Sequence, residues 1–180
     1  YPDAEICVFD SICASGGHGL LIYHAIENKK KGMSAKENMQ ALEELKHHIV
    51  HKFTVDDLTY LQRGGRISKT AAVIGGMIQL KPVLHVDTEG RLAAESKVRG
   101  RKKALNQLLA EMDICTGSYA DKQDVVLICH ADCPEDAEYV RAKVEEKYHP
   151  NKIIMSEVGP IIGAHVGPGT MVLIFEGDKR

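Results

Sequence analysis

Two short segments carry the residues best suited to holding an anion. The first is Gly64-Gly65-Arg66-Ile67-Ser68, which runs into an apolar stretch of helical character. Backbone N–H groups at a helix start favour negative charge, and an arginine adds a planar fork that fits a carboxylate or a phosphate. The same five residues also read as a tight turn with a solvated Arg66. The helix expected next, roughly Lys69 to Leu80, is apolar on most sides and therefore reads as buried. An amphipathic ligand with an acidic head would need that pairing of turn and helix. The second segment is Gly163-Ala164-His165-Val166-Gly167-Pro168-Gly169-Thr170, in which three glycines and a proline fix the backbone path around one imidazole. His165 in such a loop can donate to a carboxylate or act as acid or base near neutral pH. It can also be merely hydrogen-bonded.

A third feature is the basic cluster Lys97, Arg99, Arg101, Lys102 and Lys103. Its end coincides with the expected start of a helix, where positive charge opposes the macrodipole by about 0.3–1 kcal/mol per exposed residue. Helix stability therefore does not account for the cluster. It fits an anionic ligand or an acidic partner surface, or else a solvated patch.

Other constellations carry less. His47, His48 and His51 are expected on one helix, but no HExxH arrangement accompanies them, and they read as a solvated face. Cys129, His130 and Cys133 lack a second pair at zinc-finger spacing, so no metal is expected. Ser11 and Ser15 lie in a glycine-containing turn without a G-x-S-x-G elbow, which argues against a serine hydrolase. Neither a Walker A loop nor a dinucleotide fingerprint occurs, and no cofactor is expected.

These residues sit in a chain of 180 residues with 44% hydrophobic and 27% charged content and a net charge of −2. That composition is typical of a soluble globular protein and gives no strong pull toward nucleic acid or an anionic membrane. No apolar run approaches the roughly 18 residues that span a bilayer, and no secretory signal is recognisable. The odd count of five cysteines, irregularly spaced, argues against a disulfide framework and for a reduced, cytoplasmic setting. Cys7 and Cys129 fall in apolar strand patterns, where a thiol packs as a small hydrophobe. The chain opens on Tyr1, already entering a strand, and is read as a piece lacking an N-terminal part.

The elements that must position the candidate residues follow from periodicity and punctuation. Glu5 to Asp10 reads as a buried strand, and His18 to Lys30 as a helix ended by Gly32. Ser34 with Glu37 forms a capping-box pattern for a second helix, whose stripe is Met39, Leu42, Leu45, Ile49 and Val50. Phe53-Thr54-Val55 is strand-like, and Asp56 is placed to cap a helix from Asp57 to Gln62. Pro82 is expected to stop the apolar helix. Val83–Val86 and Arg91–Glu95 flank Asp87-Thr88-Glu89-Gly90 as a hairpin. An amphipathic helix is expected from Arg101 to Met112, a strand over Asp124–Cys129, and a helix over Pro134–Tyr148. The last two strands are expected over Lys152–Glu157 and Thr170–Phe175. Hairpins mixed with helical crossovers predict an α/β fold with a mixed sheet.

Taken together, Asp10-Ser11, the Gly16–Gly19 turn, Phe53-Thr54-Val55, Leu58, Tyr60-Leu61, Gly64 to Ser68, Lys81-Pro82, Gly90, Lys97, Arg99-Gly100, Gly163 and His165 to Gly169 resemble the DegV family in order and spacing. The match looks like the C-terminal two-thirds of such a protein. The resemblance implies a two-domain α/β fold, with residues 1–52 ending a parallel first domain and 53–180 forming a second domain with a mixed sheet. It implies a lipid-binding protein that sequesters a long-chain fatty acid and presents its carboxylate to a separate ATP-binding fatty acid kinase subunit for acyl-phosphate formation. Carried over by position, His165 would bind the head group and Arg66 would lie beside it. On the apolar helix, Val73, Ile74, Met77 and Ile78 are the candidates to line the tail pocket, several of them packing simply as core, and Lys97, Arg99 and Arg101 would dock the kinase. The family's N-terminal Ser/Thr motif for the carboxylate precedes the first residue here. The alternative reading is a small enzyme acting on an anionic substrate, with His165 as acid/base and Arg66 as clamp. A deep apolar tunnel near His165 would favour the carrier, and a shallow polar cleft the enzyme.

Overall fold

The computed structural model describes residues 2–68 and 80–180. The expected apolar helix over 69–80 lies outside the described residues save for its last position, and Val73, Ile74, Met77 and Ile78 lie wholly outside. The described chain runs α1 (Ser15–Lys30), α2 (Ala35–Leu45), β1 (Ile49–Thr54), α3 (Leu58–Arg63), β2 (Leu80–Val86), β3 (Leu92–Arg99), α4 (Arg101–Thr116), β4 (Val125–His130), α5 (Pro134–Tyr148), β5 (Lys152–Glu157), α6 (Pro160–Val166) and β6 (Met171–Glu176). The strands make one mixed sheet in the order β3-β2-β1-β6-β4-β5. The β4–β5 pair is parallel, joined through α5, and the other pairs are antiparallel.

Strand alternation builds a hydrophobic layer on each face. Val172 and Ile174 of β6, with Leu127 and Cys129 of β4, pack under Leu20 and Leu21 of α1, Leu61 of α3 and Val166 of α6. Met171, Leu173 and Phe175, with Val126 and Ile128, pack under Leu105, Leu108 and Met112 of α4 and Val140 and Val144 of α5. A strand covered on both faces reads as a continuous apolar run, as β4 and β6 do. Lys52, on central β1, is buried and reaches both carboxylate oxygens of Glu95 at 2.8 Å, with Glu111 of α4 at 3.9 Å. A charge so placed needs its partners, because removing one leaves the other buried and unpaired.

Local signals held where one element decided them. The capping box of α2 forms as expected, with Ser34 N donating to Glu37 at 2.8 Å and Glu37 N to Ser34 Oγ at 3.3 Å. The β2–β3 hairpin closes over residues 87–90, where Asp87 Oδ1 accepts from Glu89 N and Arg91 N.

Several expectations are corrected. Residues 5–10 form no strand: among the described residues no neighbouring strand takes up their backbone, Ile6 and Val8 are 73% and 89% exposed, and Cys7 is exposed with them. Ile49, Val50 and His51 leave the second helix and enter β1, so the three histidines share no helical face. Asp57, not Asp56, caps α3 by accepting from Thr59 N. Pro82 lies inside β2 opposite Lys97, beyond the residues that pair with β1, where a missing N–H is tolerated. His165 sits in the last turn of α6 rather than in a loop. Among the described residues, no helix is long and apolar enough to cross a membrane.

Candidate ligand-binding site

The site is assembled where α3 and its following turn meet α6 and the glycine loop after it. Three glycines each receive a side chain from the facing segment. The His165 ring lies on Gly64, with Cγ and Cε1 both 3.2 Å from where a Cβ would stand. The Tyr60 ring covers Gly167 in the same way, and the Asp56 carboxylate covers Gly169. The two segments therefore run antiparallel and in register, 64 on 165, 60 on 167, 56 on 169. A Cβ at any of these glycines would displace the facing side chain or the segment that carries it.

Arg66 Nη1 donates to the carbonyl of Gly64 at 2.6 Å, so the guanidinium and the imidazole share one residue as their support. The structure thus brings the two head-group candidates together, although they are 99 residues apart in sequence (165 − 66). Nδ1 of His165 is shielded and has no hydrogen-bond partner among the described residues. Arg66 is exposed at the lip of a groove of about 520 Å³. Leu58, Ile67, Leu84, Leu92 and Ala94 form much of its wall, with Ser68 and Arg91 adding polar groups. Leu92 also lines a smaller apolar pocket on the sheet face, together with Phe53, Val172, Ile162 and Val166. The last two residues are on α6, so this short helix carries His165 and roofs the apolar pocket.

The basic cluster divides. Lys97 and Arg99 lie on β3, and Arg101 opens α4 after Gly100. Arg101 Nε donates to Asp136 of α5 at 2.7 Å, and Nη1 reaches Asp56 at 3.4 Å. Asp56 also accepts from Lys81 at 2.8 Å. These carboxylates offset the charge that the helix start disfavours, a compensation the linear sequence did not reveal.

The metal readings do not assemble from these positions. Alternation in β4 sends Cys129 to the α1 face, while Cys133 packs against the opposite layer and lies 3.5 Å from Arg101 Nη2. Burial pushes the Cys129 thiol up to about 11 and raises that of Cys133, the Arg101 charge pulling the latter back. His48 bonds the Gly177 carbonyl at 3.0 Å, and His51 is buried beneath Gly17. One pair escaped the sequence reading: Ser11 Oγ lies 3.2 Å from His18 Nδ1. No carboxylate orients His18 among the described residues, so the third member of a hydrolytic triad is missing there.

Comparison with known proteins settles the family. The family model described as "Uncharacterised protein, DegV family" matches residues 1–178. The chain belongs to the DegV family. A DegV domain-containing protein of Clostridium perfringens is 42% identical over 180 residues, covering 100% of this chain and 61% of that relative. DegV of Bacillus subtilis, described as a fatty acid binding protein, is 32% identical with a TM-score of 0.78, covering 94% of this chain and 60% of that one. The fatty acid kinase B3 protein of Streptococcus pneumoniae, loaded with linoleic acid, superposes with a TM-score of 0.89 at 21% identity, over 98% of this chain and 62% of that one. That last likeness speaks for the fold alone. This DegV chain thus spans about three-fifths of the length of the relatives it matches, and its mixed α/β sheet is the DegV fold.

Proposed function

We propose that the family-length protein to which this chain corresponds carries a long-chain fatty acid. In this reading His165 donates to the carboxylate and Arg66 lies beside the head group. Val73, Ile74, Met77 and Ile78 contribute to the tail pocket. The observation that carries the proposal is the joint seating of His165 and Arg66 on Gly64, with Arg66 at the edge of a groove whose wall is largely apolar. A buried carboxylate needs charge-assisted donors, and an acyl chain needs apolar wall beside them. The Bacillus subtilis relative, described as a fatty acid binding protein, supports the same reading. The groove's apolar wall speaks against the small-anion enzyme, which would need a polar one. We propose further that no chemistry resides in this chain. A separate ATP-binding kinase subunit would phosphorylate the carboxylate in the cytoplasm, docking through Lys97, Arg99 and Arg101. Residues 1–52 and 53–180 would belong to two domains of the longer protein. The binding test is native mass spectrometry of the family-length protein purified from its own host. A co-purifying long-chain fatty acid is the expected result. A lipid-free protein that also fails to take up added fatty acid would overturn the carrier reading.

A further inference from the structure

Asp56, which pairs with cations from two different elements, is not among the residues that line the groove. Its carboxylate lies flat on Gly169, with Cγ 2.7 Å from where a Cβ would stand. It pairs with Lys81 of β2 at 2.8 Å and with Arg101 of α4 at 3.4 Å, and Arg101 is held in turn by Asp136 of α5. From Gly169 the path to His165 is short and bonded at several points. Gly169 N donates to the Ala131 carbonyl at 2.7 Å. The buried Thr170 hydroxyl lies 3.0 Å from the Val166 carbonyl and 2.9 Å from that of Gly167, at the end of the helix that bears His165. Residues 167–169 cannot shift without moving one of these contacts.

We propose that Asp56 is a positioning residue for His165, and that it links the basic cluster to the head-group site through Arg101. The Asp56 side chain is 48% exposed, so its ion pairs contribute little to overall stability. What they fix is geometry. Lys81 of β2 and Arg101 of α4 hold the carboxylate that lies on Gly169. The loop then seats the last turn of α6, and the His165 ring stays on Gly64. Arg101 is at once the end of the basic cluster and a partner of Asp56. An acidic surface that drew Arg101 away would therefore release the constraint on His165.

This inference rests on the proposed role of His165, and a double-mutant cycle separates the two. Affinity for a fluorescent long-chain fatty acid is measured in the family-length protein for the parent, Asp56→Asn, His165→Ala and the double variant. Asp56→Asn is expected to weaken binding about two- to tenfold in the parent, the lower part of the range that coupling within one network gives. In the His165→Ala background it is expected to change affinity no further, because its effect passes through the imidazole. Arg101→Met, which keeps Asp56 and Lys81, should reproduce the pattern in weaker form and stands in if Asp56→Asn fails to fold. An unchanged affinity for both variants, or an equal loss in both backgrounds, would overturn the positioning role. A His165→Ala protein that binds like the parent would instead remove the head-group assignment on which it rests.

Discussion

Gly64 and His165 are in contact through the one position on Gly64 where any other residue would carry its Cβ. Gly64 has φ −74°, an ordinary right-handed value, so backbone conformation does not require glycine there. The imidazole does. Gly65 is the reverse case: φ is +69°, and a Cβ would meet nothing within 4 Å. The neighbouring glycines are therefore needed for different physical reasons.

Substitution separates those reasons. Gly64→Ala should cost about 1–3 kcal/mol by overpacking and should displace the ring, weakening fatty-acid binding as well as stability. Gly65→Ala should cost about 1–2 kcal/mol through the left-handed backbone alone, and binding should fall less. Thermal unfolding and a fluorescent fatty-acid titration of both variants check this. Parent-like binding by a folded Gly64→Ala protein would detach the ring's position from the ligand.

Removal of the imidazole gives the direct measurement. His165→Ala should weaken fatty-acid binding roughly ten- to hundredfold, the loss of about 1.5–3 kcal/mol for a hydrogen bond to a charged group. Titration of the family-length protein is the check, and an unchanged dissociation constant removes His165 from the site.

The two arginines of the basic cluster should behave differently. Arg99→Glu lies on β3 and should leave fatty-acid affinity near the parent value while slowing acyl-phosphate formation by a reconstituted kinase pair. Rim charges act mainly on association rate, so the parent's activity should also fall as salt rises. Arg101→Glu should lower both affinity and activity, because Arg101 holds Asp56, whose carboxylate lies on Gly169 in the loop that follows the His165 helix. Full acyl-phosphate formation by Arg99→Glu at low salt would exclude Arg99 from docking.

His51 sets a pH dependence of stability. Burial first, and the Arg180 charge second, lower its pKa to about 4 from an ordinary value of 6.5. The folded state therefore resists a proton that the unfolded chain accepts. The contribution of the neutral ring is complete above pH 6.5 and is lost progressively as pH falls toward about 4. The whole window corresponds to roughly 3 kcal/mol. Denaturant unfolding of the parent from pH 7 to 4 should show this loss, and His51→Leu should flatten the curve there. A variant with the parent's slope would assign the loss to other groups.

Much of this protein was determined locally, and those parts were legible in the sequence. Ser34 and Glu37 cap α2 by bonding each other's backbone, so nothing distant is needed. Pro134 to Tyr148 is a helix and Lys152 to Glu157 a strand at the limits that periodicity predicts. The Gly64–Ser68 turn and the His165 segment stood out as candidates from their residue types alone, and the structure brings Arg66 and His165 together at Gly64. What the sequence could not decide were choices made by distant partners. His51 carries the same side chain whether on a solvated helix or buried in a central strand, and only the pairing of β1 with β6 chooses. Residues 5–10 have a strand's composition, but a strand exists only where another chain segment accepts its hydrogen bonds. Lys52 would be expected at the surface, yet Glu95 and Glu111, 43 and 59 positions further on (95 − 52 and 111 − 52), make its burial tolerable. Asp56 looked like a helix cap and became an ion-pair partner of two other elements. Local sequence fixes what a backbone can do cheaply by itself. Burial, charge pairing and the seating of His165 on Gly64 belong to the tertiary structure, because each depends on a group that the chain brings back from far along its length.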